Sequence, residues 1–449
     1  MNAEQQRLLE RLKADDIRNL WVVYHDYNGR ACAKTVPPAR FASVIEGGIV
    51  FARANLDFAL NDHMGHGGIF SADTGDFLAV PDPNSYRVLP YHDHTALVHT
   101  FMMTEDYQPF EGCTRGALAR MVEAYARRGL GLTVALEAEF ALYRKVGPGE
   151  YEPANFDGMF TVAGLNRRAG LMHRIIAALE TMGIAVEQLG KEYGPSQYEF
   201  TIRYDTPLAA VDQYLVTKEV VRALALEEGL IASYMPKTYS HIPGCGVHVH
   251  LALHDASTGA DLTTGSGPDQ PLAETALHFV GGLLKHAPGL TGVGAPTVNS
   301  YKRLLPGSWA PAHIAWGVGN RAALVRVPDA NKRAHIEFRA GDATCNPFMY
   351  LTAILAAGLD GIEHQIDPGP SVSDADVGHF DDEQLAARHI HYLPRDLPDA
   401  LRAFEQDPVL VAALSPVIAP EFLKVKRLEL ENYNRHVHPW ERELYLEVI

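Results

Sequence analysis

The chain has 449 residues, too many for one ordinary core, which points to a large domain joined to a smaller one. Apolar residues make up 47% and charged residues 21%, the balance of a soluble globular protein. The formal net charge of −16, with no Lys/Arg-rich run, speaks against a nucleic-acid or anionic-membrane partner and leaves the substrate open.

From the N-terminus, Met1 to Asp15 is polar, with no signal-peptide core, and Glu4–Lys13 reads as a short amphipathic helix. Leu20–Tyr24 reads as a strand, and Asp26-Tyr27-Asn28-Gly29 as a turn into a second strand over Ala31–Val36. Short strands and turns continue through Pro81-Asp82-Pro83-Asn84 to Thr104, so residues 1–104 are expected to form a small, mainly β domain. Thr114 suits the N-cap of a helix over Arg115–Arg128, stopped by Gly129. Beyond it strands alternate with helices such as Leu171–Met182 and Leu208–Glu228, which reads as an α/β catalytic region over 105–449. Thr258–Pro268 reads as a surface loop.

Cys32, Cys113, Cys245 and Cys345 are widely spaced, which suggests reduced thiols and neither a disulfide framework nor a zinc knuckle. No apolar run approaches ~18 residues, so no membrane span is expected, and the expected location is the cytoplasm.

Four candidate strands share a two-faced pattern. In Leu132–Tyr143, Val134, Leu136, Ala138, Phe140 and Leu142 alternate with a face that carries Glu137 and Glu139. In Gly246–Leu253, valines and leucines oppose His248 and His250. In His335–Arg339, Ile336 and Phe338 oppose His335, Glu337 and Arg339; in Gln197–Arg203, Phe200 and Ile202 oppose Gln197, Glu199 and Arg203. A lone Glu-x-Glu is usually a solvated face, and a lone His-x-His is more often structural than ligating. Four such strands together mean that the polar groups either pair with one another or hold metals and a charged substrate. Carboxylates with one or two imidazoles suit Mg²⁺ or Mn²⁺ better than Zn²⁺.

Successive motifs carry a family resemblance. Glu137-Ala-Glu-Phe140, Glu192-Tyr-Gly-Pro-Ser-Gln-Tyr-Glu199, Met235-Pro-Lys237, Gly244-Cys-Gly-Val-His-Val-His250, Asn299-Ser-Tyr-Lys-Arg303, Asn320-Arg321 and Ile336-Glu-Phe-Arg339 resemble, in order, the signatures of glutamine synthetases. Within that family the chain is most similar to the type III branch, which includes γ-glutamylmethylamide synthetases. The resemblance implies an α+β fold: a small β-grasp-like N-terminal domain, and a catalytic domain whose curved, mainly antiparallel sheet forms a funnel flanked by helices. It also implies an ATP-dependent ligase acting on glutamate and an amine, with two or three Mg²⁺ or Mn²⁺ ions per site. The implied assembly is a homo-oligomer, a dodecamer of two hexameric rings that share active sites.

Residue by residue, the resemblance assigns Glu139, Glu192 and Glu199 to the metal nearer glutamate, and Glu137, His248 and Glu337 to the metal nearer the ATP phosphates. His250 matches a position that contacts ATP, Arg321 and Arg326 match phosphate-binding arginines, and Tyr204 matches an aromatic residue against adenine. Parity puts Tyr204 on the face opposite Glu199 unless the strand ends before it. Arg303 and Arg339, helped by the Gly244 loop, match groups that hold glutamate.

Departures from the family pattern bear on the amine. Trp309 stands six positions after Arg303, where ammonia-using members have an acid, and Ala52 stands where a second acid is usual. An indole suits a small alkylammonium such as methylammonium, through an apolar wall and a cation–π face. Methylamine is therefore favoured over ammonia, with ammonia the alternative. The competing classes are a catalytically inactive structural relative, and a kinase of the same superfold that lacks an amine step.

Overall fold

The computed structural model describes all residues except 268–269, 329–332 and 374. Leu8 and Leu12, one helical turn apart, bury one face of the first helix, Ala3–Ala14, whose N-terminus is closed by a capping box between Asn2 and Gln5. Strands Asn19–His25 and Ala31–Val36 pair antiparallel across the predicted turn. There Asp26 Oδ1 accepts the N–H groups of Asn28 and Arg30 at 3.0 and 2.9 Å. Gly29 is obligatory twice over: φ is +73°, and a Cβ would stand 2.5 Å from the carbonyl oxygen of Cys345. The turn is pressed against the second half of the chain.

Asn19–His25 runs parallel to Thr95–Met103, which pairs antiparallel with Asp76–Pro81, and that strand in turn with Ile49–Ala52. With Arg87–Val88 this makes a six-stranded sheet drawn entirely from residues 19–103.

The next helix, Thr114–Ala126, corrects the predicted cap. Cys113, in extended backbone, accepts the Gly116 N–H on Sγ at 3.2 Å, and Thr114 is the first helical residue. The Thr114 side chain is buried towards Asn346 and is not free to cap.

Among the described residues the second sheet has nine strands. Its main order is Trp316–Val318, Val325–Val327, Ile336–Phe338, Val247–Asp255, Leu130–Gly147, Gln197–Ile202 and Val186–Lys191, with Glu150–Pro153 and Ile231–Ser233 also paired on the long central strand. All neighbours are antiparallel except the first two strands. The alternation of strands and helices along the chain is as predicted, but it does not produce the parallel sheet of an α/β protein. The architecture is α+β, with a curled sheet flanked by helices. The apolar face of the central strand is buried at Val134, Leu136, Phe140 and Leu142 and half-buried at Ala138, and helix Pro207–Glu227 packs on that strand. Helix Pro347–Glu363 is buried along 347–361. Its N-cap, Asn346, also donates from Nδ2 to the Asp26 carbonyl at 2.7 Å, tying the two sheets' segments together.

The predicted Thr258–Pro268 loop is part strand: Thr264–Gly267 pairs with Gln270–Leu272, and Pro268 lies outside the described residues. No helix among the described residues is long and apolar enough to cross a membrane.

Candidate active site

Strand register builds the site. Glu199 stands directly across from Glu139, His248 from Glu137, His250 from Glu337, and Glu337 again from Arg326. Antiparallel partners on one face have their Cβ atoms about 5 Å apart, so alternation along each strand becomes one continuous polar patch across five strands. Glu137, Glu199 and His248 each bring a donor atom within 4.8 Å of the other two. His248 Nδ1 is 3.4 Å from Glu337 Oε1, and His250 Nε2 is 3.0 Å from Glu137 Oε2. The other nitrogen of His250 meets His335 Nε2 at 3.1 Å.

The arginines brace this cluster. Arg339 pairs with Glu337 through Nη1 and reaches the Trp309 carbonyl through Nη2 at 3.5 Å; Arg326 Nη1 takes the other Glu337 oxygen at 2.9 Å. Arg303 is buried, and its Nη groups donate to the carbonyls of Arg339, Ala340 and Gly341, each at 3.2 Å. Gly244 and Gly246 leave room for it: a Cβ on Gly246 would lie 2.2 Å from Arg303 Nη2. The Gly246 N–H donates to Glu139 Oε2 at 2.6 Å.

The electrostatics are uneven. Burial of Glu337 is outweighed by Arg339 and His248, which hold its carboxyl down to about 2. Burial of Glu137 is likewise outweighed, by His250, so its pKa is lowered. Burial pushes Glu139 up to about 7, with Arg303 opposing. Glu199 is raised strongly, first by burial and then by the charge of Glu137. Glu192 is raised by burial and by Glu137, with Arg321 opposing.

Two neighbouring carboxylates, Glu199 and Glu137, with a buried imidazole nitrogen of His248 that makes no hydrogen bond, are a donor set that fits a divalent ion.

The structure thus gathers Glu137, Glu139, Glu199, His248, His250, Glu337, Arg303, Arg326 and Arg339. Glu192 follows the end of strand Val186–Lys191 and acts on the cluster through its charge. Arg321 and Trp309 line a separate cavity of about 420 Å³ beside it. Tyr204 lies beyond the end of its strand at Ile202, so parity no longer fixes its face, and it is 57% exposed. Asp376, which also lines the cavity, was not a candidate from the sequence. It sits in an aperiodic stretch after a helix, where only the fold could bring it near Arg321.

Residues 111–445 match the family profile described as glutamine synthetase, catalytic domain. The chain is 34% identical to the glutamine synthetase of Halobacterium salinarum over 450 residues, covering 99% of this chain and 96% of the relative. It is also 34% identical to the glutamate–methylamine ligase of Methyloversatilis universalis over 447 residues, covering 97% and 98%. A solved structure described as a GmaS/ADP complex superposes with a TM-score of 0.88 at 32% identity, covering 98% of this chain and 99% of the other. On that span and identity, the chain is an ATP-dependent ligase and belongs to the glutamine synthetase family.

Proposed function

We propose that the chain joins the side-chain carboxylate of glutamate to a small amine, methylamine in preference to ammonia, with cleavage of ATP to ADP and phosphate through γ-glutamyl phosphate. The observation that carries the ligase reading is the meeting of Glu137, Glu199, His248 and Glu337 on one face of the sheet. The preference for methylamine rests on Trp309, an indole at the wall of the adjoining cavity.

With Mg²⁺ or Mn²⁺ bound at Glu139, Glu192 and Glu199 on one side and Glu137, His248 and Glu337 on the other, repulsion between the ATP phosphates and the attacking carboxylate would be neutralised. The protein's own groups do the rest. Arg321 and Arg326 stabilise charge on the transferring phosphoryl group, His250 contacts the nucleotide, and Tyr204 offers a ring to the adenine. Arg339 orients the α-carboxylate of glutamate so that only the distal carboxylate reaches the phosphate. Arg303 holds glutamate together with Arg339, its Nη groups positioned by the backbone carbonyls of Arg339, Ala340 and Gly341 and given room by Gly244. The amine, once its ammonium form has given up a proton to solvent, attacks the γ-carbonyl carbon through its lone pair; the new C–N bond forms, the C–O bond to phosphate breaks, and a second proton leaves the nitrogen to give the neutral amide.

Residues 1–104 form, in this reading, the β-grasp-like domain and 105–449 the catalytic domain. The working assembly is a dodecamer of two hexameric rings sharing active sites, which a native mass measurement tests.

The deciding experiment is phosphate release with glutamate, ATP, Mg²⁺ or Mn²⁺, and a panel of ammonium, methylamine, ethylamine, isopropylamine, ethanolamine and putrescine. Methylamine is expected to give a higher kcat/KM than ammonium. The reverse order would make the chain a glutamine synthetase in the strict sense, and no glutamate-dependent turnover would make it an inactive relative.

A further inference from the structure

The cavity beside the metal-binding face is formed by three loops, and among the described residues its lining comes from Gly307–Ala312, from Gly319–Ala322, and from Ser373, Ala375, Asp376 and Gly378. At about 420 Å³ it falls in the range of sites built for small organic ligands, roughly 300–1,000 Å³. It is tied to the catalytic cluster at two points. Arg321 in its wall acts electrostatically on Glu192, and Trp309, also in its wall, accepts a hydrogen bond from Arg339, the partner of Glu337. In the ligase reading above Arg321 stabilises the transferring phosphoryl group, so the cavity and the site of the acyl phosphate share that residue.

Trp309 offers an incoming ammonium a ring face but no negative charge. Among the described residues lining the cavity, Asp376 is the sole carboxylate. Its Oδ1 accepts the Gly378 N–H at 2.8 Å, and its Oδ2 lies 3.3 Å from Nδ1 of the exposed His379, a contact solvent or a cation can replace. Asn320 donates from Nδ2 to the carbonyls of Val372 at 2.6 Å and Ala375 at 2.9 Å. The residue immediately before Arg321 therefore fixes the loop that presents Asp376. Carboxylate and guanidinium are held in one frame, one for the ammonium form of the incoming amine and one for the anionic leaving group.

We propose that Asp376 is the carboxylate that binds the ammonium group of the amine substrate, and that the cavity walled by Trp309 receives its alkyl tail. This rests on the ligase reading above and assigns the amine's own site within it.

The test is steady-state kinetics of Asp376→Asn and Asp376→Glu, with melting temperatures matched to the wild type. Loss of a charge-assisted hydrogen bond should raise the KM for methylammonium about tenfold or more in Asp376→Asn. The KM values for glutamate and ATP should stay within about twofold, and Asp376→Glu should recover much of the loss. The penalty should be smaller for hydroxylamine, which is uncharged at neutral pH. Equal changes in all three KM values, or none, overturn the proposal. As a readout without turnover, quenching of tryptophan fluorescence by methylammonium should saturate in the wild type and lose saturation in Asp376→Asn; saturation retained in the variant also overturns it. If the wild type prefers ammonium, the methylamine reading fails, whereas a raised KM for ammonium in Asp376→Asn still upholds the assignment of Asp376.

Discussion

Two groups of buried carboxylates in this molecule are treated in opposite ways. At Arg115, one guanidinium serves two acids: Nε and Nη2 meet Asp212 at 3.2 and 2.7 Å, and Nη2 meets Asp82 at 2.7 Å. Similarly, His286 lies between Asp407 and Asp360 at 2.6 and 2.9 Å, and Lys285 adds a third contact to Asp360. In these places every buried charge has a partner. On the funnel face, Glu137, Glu139, Glu192 and Glu199 repel one another, and Glu199 is driven towards its protonated form by burial and by Glu137. Arg326 and Arg339 both pair with Glu337, and Arg303 with backbone carbonyls. A fold that gives the acids around Arg115 and His286 cationic partners has left this group short of positive charge, and the shortfall is what a divalent ion and an anionic transition state would fill.

The contrast breaks most visibly under substitution. Glu199→Gln should lower kcat/KM with every amine by at least about 10³-fold, since a catalytic metal contributes several kcal/mol and each 1.4 kcal/mol is tenfold. Its effect on stability should have the opposite sign. Because the native state raises the pKa of Glu199, its folding contribution is complete below the ordinary carboxyl value and is lost as pH rises. At neutral pH the native state holds a proton that the unfolded chain releases, a cost glutamine does not bear. The metal-free variant should therefore melt no lower than the wild type. Arg115→Ala should do the reverse. It strands Asp82 and Asp212, costs about 3–4 kcal/mol in denaturant titration, and leaves turnover per folded molecule unchanged. If both variants lose stability alike, the distinction between satisfied and frustrated carboxylates is wrong.

What was legible in the sequence follows the same division. Strand alternation has a period of two, so Glu137, Glu139, His248, His250 and Glu337 could be put on one face before any coordinates. The register that sets Glu199 against Glu139 and His248 against Glu137 could not be read from spacing, because each pair joins positions 60 or more residues apart on different strands. The antiparallel arrangement was equally hidden. Strands alternating with helices read as α/β, and the resemblance, not periodicity, supplied the antiparallel sheet. The Cys113 cap was missed because a thiol is an unusual acceptor and Thr114 looked the better candidate. Asp376 was invisible because loops carry no period and Asn320, more than 50 residues away, holds its loop in place.

Selectivity between amines tests the loop-built cavity, where effects should be smaller than on the sheet. Trp309 is 71% exposed with φ at +62°, so its side chain does little for the core, and replacement should leave folding intact. Trp309→Glu removes a cation–π face worth about 0.5–2 kcal/mol and adds a charge that favours a bare ammonium. The ratio of kcat/KM for methylamine to that for ammonium should fall by about tenfold. An unchanged ratio would mean that the indole only packs its loop.

The smallest effect belongs to the satisfied region. Burial alone would lower the pKa of His286, but the hydrogen bonds its ring donates to Asp407 and Asp360 outweigh it and raise it above the ordinary value. A raised histidine pKa contributes stability that is complete below the unfolded value of about 6.5 and is lost as pH rises through the folded value. His286→Gln should therefore be most destabilising in mildly acidic buffer, by about 1–2 kcal/mol, with the gap to the wild type closing as pH rises. Paired denaturant titrations on the two sides of neutrality measure that gap. A gap that widened with pH would mean that His286 is neutral in the native state, so that Asp360 and Asp407 would lack the positive partner that sets them apart from the glutamates of the funnel.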